Sequence, residues 1–510
     1  MGESIKVNPK IPELALQQYS ATTLVKRPEE SLPPSPSSQV ICINISLLQS
    51  NSDGHYDDDQ ANSHQHGQQL INPQDAWLPI TESRNGNAYF ATFHLLSSGI
   101  GVHALVLPLA FATLGWVWGT ICLSLTYMWQ LYTILLLIQL HESIPGIRFS
   151  RYLHLSMAAF GKKLGKVAAL FPVMYLSGGT CVMLIITGGS NMELFFKTIC
   201  DDKAKSLSSV EWFLVFTCIS IAIAQLPNLN SIAGVSLIGA ITTVCYCTLL
   251  WVLSVRKGRP AGISYSSSLA VADDQSNVAK MSGVLNALGI FFLAFRGHNV
   301  LLEIQGTMPS SPKHPSREPM YKGVTISYLL IAMCMFPLAI TGFWAYGNKI
   351  PSTGGLLSAF SQFHRDQISN FTMGVIYLLI VIHCLCSFQV YAMVVFDNLE
   401  LRYTSLKKKR CTRLARTCLR LFVGGLAFFV AVAFPFLPSL AALLGGMTLP
   451  LTYAYPCFMW ITIKKPRRGG VIWCLNLALG CLGIILSVLL VAAAIWTLAH
   501  KGLKANFFNP

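Results

Sequence analysis

Charge is what this sequence has least of: Asp, Glu, Lys and Arg make up 12% of its 510 residues, against about 25% in a typical soluble domain. That shortage excludes a string of ordinary soluble domains, because there is too little charge to clothe their surfaces. The motifs of soluble chemistry are missing as well. There is no HExxH, no GxSxG elbow and no GxxxxGK[ST] loop, so neither a zinc protease, an α/β hydrolase nor a nucleotide-driven machine is expected. No nucleophile–base pair stands out, and an enzyme is not expected. No CxxC pair occurs among the 15 cysteines, most of which lie in apolar runs, such as Cys181, Cys218, Cys245, Cys384 and Cys386. They read as small core residues and not as a disulfide framework or a metal site. A cleavable signal peptide is not expected either, since the first long apolar run begins near Ala88, behind a long polar stretch.

What is present is apolar. Hydrophobic residues form 53% of the chain, and the mean hydropathy is +0.52. The formal net charge of +15 fits either nucleic acid or a membrane surface, and the placement of the bases decides between them. They sit in short blocks between apolar runs, notably Lys407 to Arg410, Arg413 and Arg416, and again Lys464, Lys465, Arg467 and Arg468. Bases that flank apolar spans are what the positive-inside rule produces, so the partner is a lipid bilayer and no nucleic acid is expected.

Residues 1–80 read as a disordered tail, rich in Pro, Ser and Glu near 27–39 and in Asp, His and Gln near 55–69. Residues 81–510 read as one transmembrane domain. A helix needs about 20 apolar residues to cross a bilayer, and open sheets are forbidden there. The fold class expected is therefore an all-α integral membrane protein, with about eleven helices. They lie near 88–115, 116–140, 167–197, 212–226, 232–255, 284–307, 323–346, 368–399, 414–434, 436–463 and 471–498. If the tail is cytoplasmic, inner loops carry about twice as many bases as outer ones. The expectation is thus a cytoplasmic N-terminus and an extracellular C-terminus, although Arg256, Lys257 and Arg259 lie on the outer side. On this topology Asn44-Ile-Ser46 is never glycosylated.

Two spans are interrupted by glycine. The first reads His94-Leu-Leu-Ser-Ser-Gly-Ile-Gly-Val-His103, and the sixth reads Gly289-Ile-Phe-Phe-Leu-Ala-Phe-Arg-Gly-His-Asn299. Close helix packing explains one such span. Two at positions one and six, the same place in two five-helix halves, point to a carrier built from inverted repeats. Unwound turns there free N–H and C=O groups that can hold a zwitterion at the midplane. With no Walker site, such a carrier draws on an ion gradient. Ionisable residues within spans are functional candidates because a charge at the centre costs about 2.5 kcal/mol or more. They are His103, Arg296, His298, Glu303 and His383, with Glu193 and Asp397 nearer the ends. A mid-span histidine titrates near neutral pH, as proton coupling requires. The proton-coupling candidates are His383, Glu303, His298 and Asp397, and His383 shares a helix face with Ser387.

The run from Phe93-His94 to Leu107-Pro108, Gly297-His-Asn followed by Leu302-Glu-Ile-Gln305, Gly234-Val-Ser-Leu237 and Pro456-Cys-Phe-Met-Trp460 together resemble plant amino acid/auxin permeases, within them the lysine/histidine transporters. The resemblance covers essentially everything after residue 75. It implies a LeuT-like fold of five plus five inverted helices with one added, and proton-driven amino acid import across the plasma membrane. No cofactor is implied beyond the proton gradient. It places the substrate against Ser98, Gly99, Ile100, Gly101 and His103 in the first span, and against Ala294, Phe295, Arg296 and Gly297 in the sixth. The better-known transporters of this kind have small residues where this chain has His103 and Arg296, and tend to a carboxylate near Ser177. The added positive charge disfavours cationic substrates. Two other readings stand beside amino acid symport: a carrier for auxin or another organic carboxylate, and a transporter-like receptor that binds without moving its ligand.

Overall fold

The computed structural model describes residues 77–200, 206–266, 276–351, 353–501, 507 and 508. The expected tail and Asn44 lie outside the described residues, apart from the last four tail positions. Those four differ from expectation, because Leu78 and Ile80 are buried against the bundle.

Fifteen α-helices account for most of the described residues. The first five are α1 (Ala88–Gly99), α2 (Leu107–Leu140), α3 (Tyr152–Phe160), α4 (Lys162–Ile199) and α5 (Ser209–Ile223). Next come α6 (Ala233–Lys257), α7 (Asn277–Ala294), α8 (His298–Gly306), α9 (Arg317–Tyr346) and α10 (Gly355–His364). The last five are α11 (Asn370–Lys407), α12 (Arg413–Ala433), α13 (Ala441–Leu449), α14 (Tyr455–Lys464) and α15 (Val471–Lys501). Their starts are marked chemically. The side chains of Asn87, Ser276, Ser369 and Thr412 each accept a hydrogen bond from a first-turn amide, and Ser208 with Glu211 forms a capping box.

Eight helices among the described residues are long and apolar enough to cross a membrane, three fewer than the spans read from hydropathy. The difference is local. The first expected span is broken into α1, a 3₁₀ turn at Val102–Val106 and the start of α2. Gly115, at φ 76° and ψ −177°, then leaves helical geometry inside α2 and separates the first span from the second. The fourth span keeps only the 15 residues of α5. The tenth is cut by a π turn at Pro450–Ala454, where proline has no N–H to give the helix ladder.

Small residues let the helices approach closely, as membrane bundles require. A Cβ on Gly445 of α13 would fall 2.0 Å from the Gly289 carbonyl of α7, and one on Gly289 would fall 2.7 Å from the Ala442 carbonyl. Gly239 of α6 faces Ser97 of α1 and Cys386 of α11 at similarly short range. Three helices thus meet where the first span is broken.

One end of the bundle is strongly basic and tied by ion pairs. Arg151, just before α3, binds Asp397 of α11 through Nε at 2.6 Å and Nη2 at 3.2 Å, and both side chains are buried. The Ile80 amide donates to the same carboxylate. Arg416 of α12 reaches Glu400, Glu82 and the Trp77 carbonyl. Arg410 also pairs with Glu82. Arg420 donates to the carbonyls of Ala224, Leu226 and Pro227, beyond the end of α5, the orphan acceptors that a helix C-terminus leaves.

Candidate functional site

The two interrupted spans meet each other. Ile100 follows α1 with φ −99° and ψ 93°, and Phe295 follows α7 with φ −94° and ψ 114°. These two extended residues form an isolated antiparallel bridge. Gly101 continues the extended path at φ −82° and ψ 163°. Gly297 turns the chain back into α8 at φ 117° and ψ −12°, a left-handed conformation that favours glycine. The unwinding expected from the glycine clusters is therefore present at both places, and the two breaks cross.

Beside the crossing is a small cavity of about 10 Å³, room for about one water molecule. Its walls come from four elements. The first span gives Ser97, Ser98, Gly101, Val102 and His103; α4 gives Thr180, Met183 and Leu184; the sixth span gives Arg296; α11 gives His383, Ser387 and Tyr391. Of the residues expected to meet substrate, Ser98, Gly101, His103 and Arg296 line this space, while Gly99, Ile100, Ala294, Phe295 and Gly297 form the backbone around it without lining it.

Arg296 is 6% exposed. Its Nε donates to the Leu293 carbonyl at 3.1 Å and its Nη1 to the Thr180 hydroxyl at 3.1 Å. Its Nη2 lies 3.0 Å from His103 Nδ1. A guanidinium only donates, so the His103 nitrogen facing it carries no proton in this contact. Tyr391 also interacts with Arg296 through its side chain and donates its own hydroxyl to the Ser98 carbonyl at 2.6 Å. Every one of these partners is neutral. Among the described residues no carboxylate pairs with Arg296.

His383 is buried, with Nδ1 hydrogen bonded to the Thr243 hydroxyl of α6 and 3.4 Å from the Gly239 carbonyl. Ser387, one turn on, donates to the Ser97 carbonyl at 2.5 Å and lies 3.3 Å from His383 Nε2. His383 therefore touches the first span's break through a short polar chain. The other three proton candidates stand apart from the cavity. His298 Nε2 is 2.8 Å from the Thr133 hydroxyl of α2. Glu303 accepts from the Tyr152 amide at 3.3 Å and leaves its second oxygen without a partner. Asp397 is held by Arg151 at the basic end.

Thr180, Tyr391, Ser97 and Gln130 were not singled out by the sequence. Gln130 of α2 donates to the Arg296 carbonyl at 2.8 Å and so holds the sixth span's break from outside. Tyr391 carried a usable signal: it stands four residues after Ser387 and eight after His383, on the same helix face. Thr180 carried none, since a threonine in an apolar helix commonly bonds its own i−4 carbonyl, and this one does bond Leu176.

A family model described as transmembrane amino acid transporter protein matches residues 84–499. Lysine histidine transporter-like 8 of Arabidopsis thaliana is 53% identical over 442 residues, covering 86% of this chain and 84% of its own. Lysine histidine transporter-like 7 of the same plant is 49% identical over 441 residues, covering 86% and 90%. Its GABA transporter 1 is 25% identical over 418 residues, covering 79% and 89%. Among solved structures, a nucleobase-cation-symport-1 family transporter in a closed conformation with bromovinylhydantoin bound aligns at a TM-score of 0.53 and 11% identity, over 84% of this chain and 96% of its own. That likeness concerns the fold alone, and the fold is the LeuT-like one that the family resemblance implies.

Proposed function

Because the chain belongs to the transmembrane amino acid transporter family, a multi-pass membrane transporter and not an enzyme, we propose that it is a proton-coupled symporter that imports amino acids. The observation that supports this reading is the crossing of the two breaks beside a small cavity that Arg296, His103 and His383 line. Discontinuous helices at the midplane are where such carriers bind substrate and coupling ion. The substrate backbone then meets Ser98 to Gly101 and the turn from Ala294 to Gly297.

The coupling proton is taken up at His383, the one proton candidate that lines the cavity. Its link through Ser387 to the Ser97 carbonyl ties its protonation to the geometry of the first break. Glu303, with an unpartnered oxygen buried in α8, is the alternative acceptor. The plasma membrane, with the basic end in the cytosol, is the location that the asymmetry of bases supports.

Uptake by proteoliposomes across a panel of amino acids, with and without an inward proton gradient, tests the proposal. Gradient-stimulated accumulation of at least one amino acid is expected. Binding without accumulation overturns it in favour of a receptor, and accumulation of plain carboxylates alone overturns it in favour of an organic acid carrier. Arg296 is the observation that favours this last reading as runner-up.

A further inference from the structure

The cavity holds one permanent positive charge and, among the described residues, nothing to balance it. Arg296 is buried and cannot discharge itself. Its hydrogen bonds go to a carbonyl, a hydroxyl and an imidazole, all neutral. A buried charge is tolerated where it is paired, and the ion pairs of this protein lie elsewhere, at the basic end and on the surface. With the Tyr391 side chain also bonded to it, four of the five guanidinium N–H groups are engaged, and a ligand carboxylate binds through the fifth or by displacing one of these neutral partners.

We infer that the cavity selects substrates of net negative charge, an acidic amino acid or a dicarboxylate of similar length, whose side-chain carboxylate pairs with Arg296. The inference rests on the transport reading above and deepens it. Charge counting at the site separates the substrate classes. Before His383 takes up its proton, Arg296 sets the site at +1, so a bound acidic amino acid brings it to zero and a dicarboxylate dianion to −1. A neutral zwitterion leaves +1, and lysine or arginine raises it to +2. Around a guanidinium this buried the differences between these totals are large. The neighbours fit the role: Thr180 and His103 hold the guanidinium on two sides through neutral bonds, weaker than the charge-assisted bond a carboxylate makes in their place. Met183 and Leu184 line the same space and offer contact to the short methylene chain between the two carboxylates once the two breaks separate enough to admit it.

The test is equilibrium binding to the purified full-length protein in nanodiscs, with L-aspartate, L-glutamate, glutarate, L-leucine and L-lysine as probes. Aspartate or glutamate is expected to bind at least about tenfold more tightly than leucine, a difference of about 1.4 kcal/mol, with lysine weakest. In Arg296→Gln that preference disappears, and in Arg296→Lys, which keeps the charge and loses the fork, it shrinks without reversing. Leucine or lysine binding as tightly as the acidic ligands to the wild type overturns the inference, and needs no variant to fold. An unchanged ratio in Arg296→Gln overturns it too. The transport reading fails separately: tight aspartate or glutarate binding without gradient-driven uptake leaves the charge selection standing and removes the symport.

Discussion

At the scale of single residues, the cavity separates two basic groups with different duties. Arg296 keeps its charge whatever the pH and is braced by Thr180 and His103. His383 can change its charge, and its partners Thr243, Gly239 and Ser387 belong to the helices that pack on the first break. His383→Ala is therefore expected to remove most of the dependence of uptake on the proton gradient while changing substrate affinity by less than about threefold, under 1 kcal/mol. Uptake at several external pH values, set beside equilibrium binding, checks this. Gradient-dependent uptake that persists in the variant assigns His383 a structural hydrogen-bonding role. The chemistry of the candidate site was partly legible in the sequence, because a charge or a histidine inside an apolar run is conspicuous. Thr180 and Gln130 were not, since nothing in their local sequence says that their side chains point at a break in another helix.

At the scale of elements, the breaks matter more than the helices they interrupt. Gly297 stands at φ 117°, where a side chain costs of the order of 1–3 kcal/mol. Gly297→Ala is expected to lower thermal stability by about that much, and to slow transport because the turn into α8 is displaced. Gly234→Ala is the matched control. Gly234 lies in α6 with open space where a Cβ would go, and alanine there is neutral or mildly stabilising. Equal losses in the two variants would show that the left-handed turn carries no special weight. The breaks at Gly99 to Gly101 and at Gly297 could be read in advance because glycine clusters are rare at mid-span. The break at Pro450 was not read, although proline is an equally plain signal. An apolar run of the right length covered it, and hydropathy does not register a missing N–H. The division at Gly115 falls where the boundary between the first two spans was expected.

At the scale of the whole molecule, the basic end is closed by chain segments that are distant in sequence. Residues 77–82, the start of α3 and the ends of α11 and α12 are joined through Asp397, Arg151, Arg416 and Glu82. Asp397→Asn leaves the buried Arg151 with a weakened partner, and removing one member of a buried pair costs about 3–5 kcal/mol. Replacing both by apolar residues of similar size, Arg151→Met with Asp397→Leu, is expected to cost less than Asp397→Asn alone. Thermal unfolding of the two variants in the same detergent decides it, and a double variant less stable than the single one rules out the pair as the origin of the effect. The bridge between Ile100 and Phe295 reaches beyond stability, into heredity. Two discontinuities pinned to each other at one point cannot drift apart in sequence independently, because a change that bends one strand of the crossing re-aims the other. Residues 98–101 and 294–297, about two hundred positions apart, are in that sense one site, and backbone changes on its two sides are expected to be coupled and not additive.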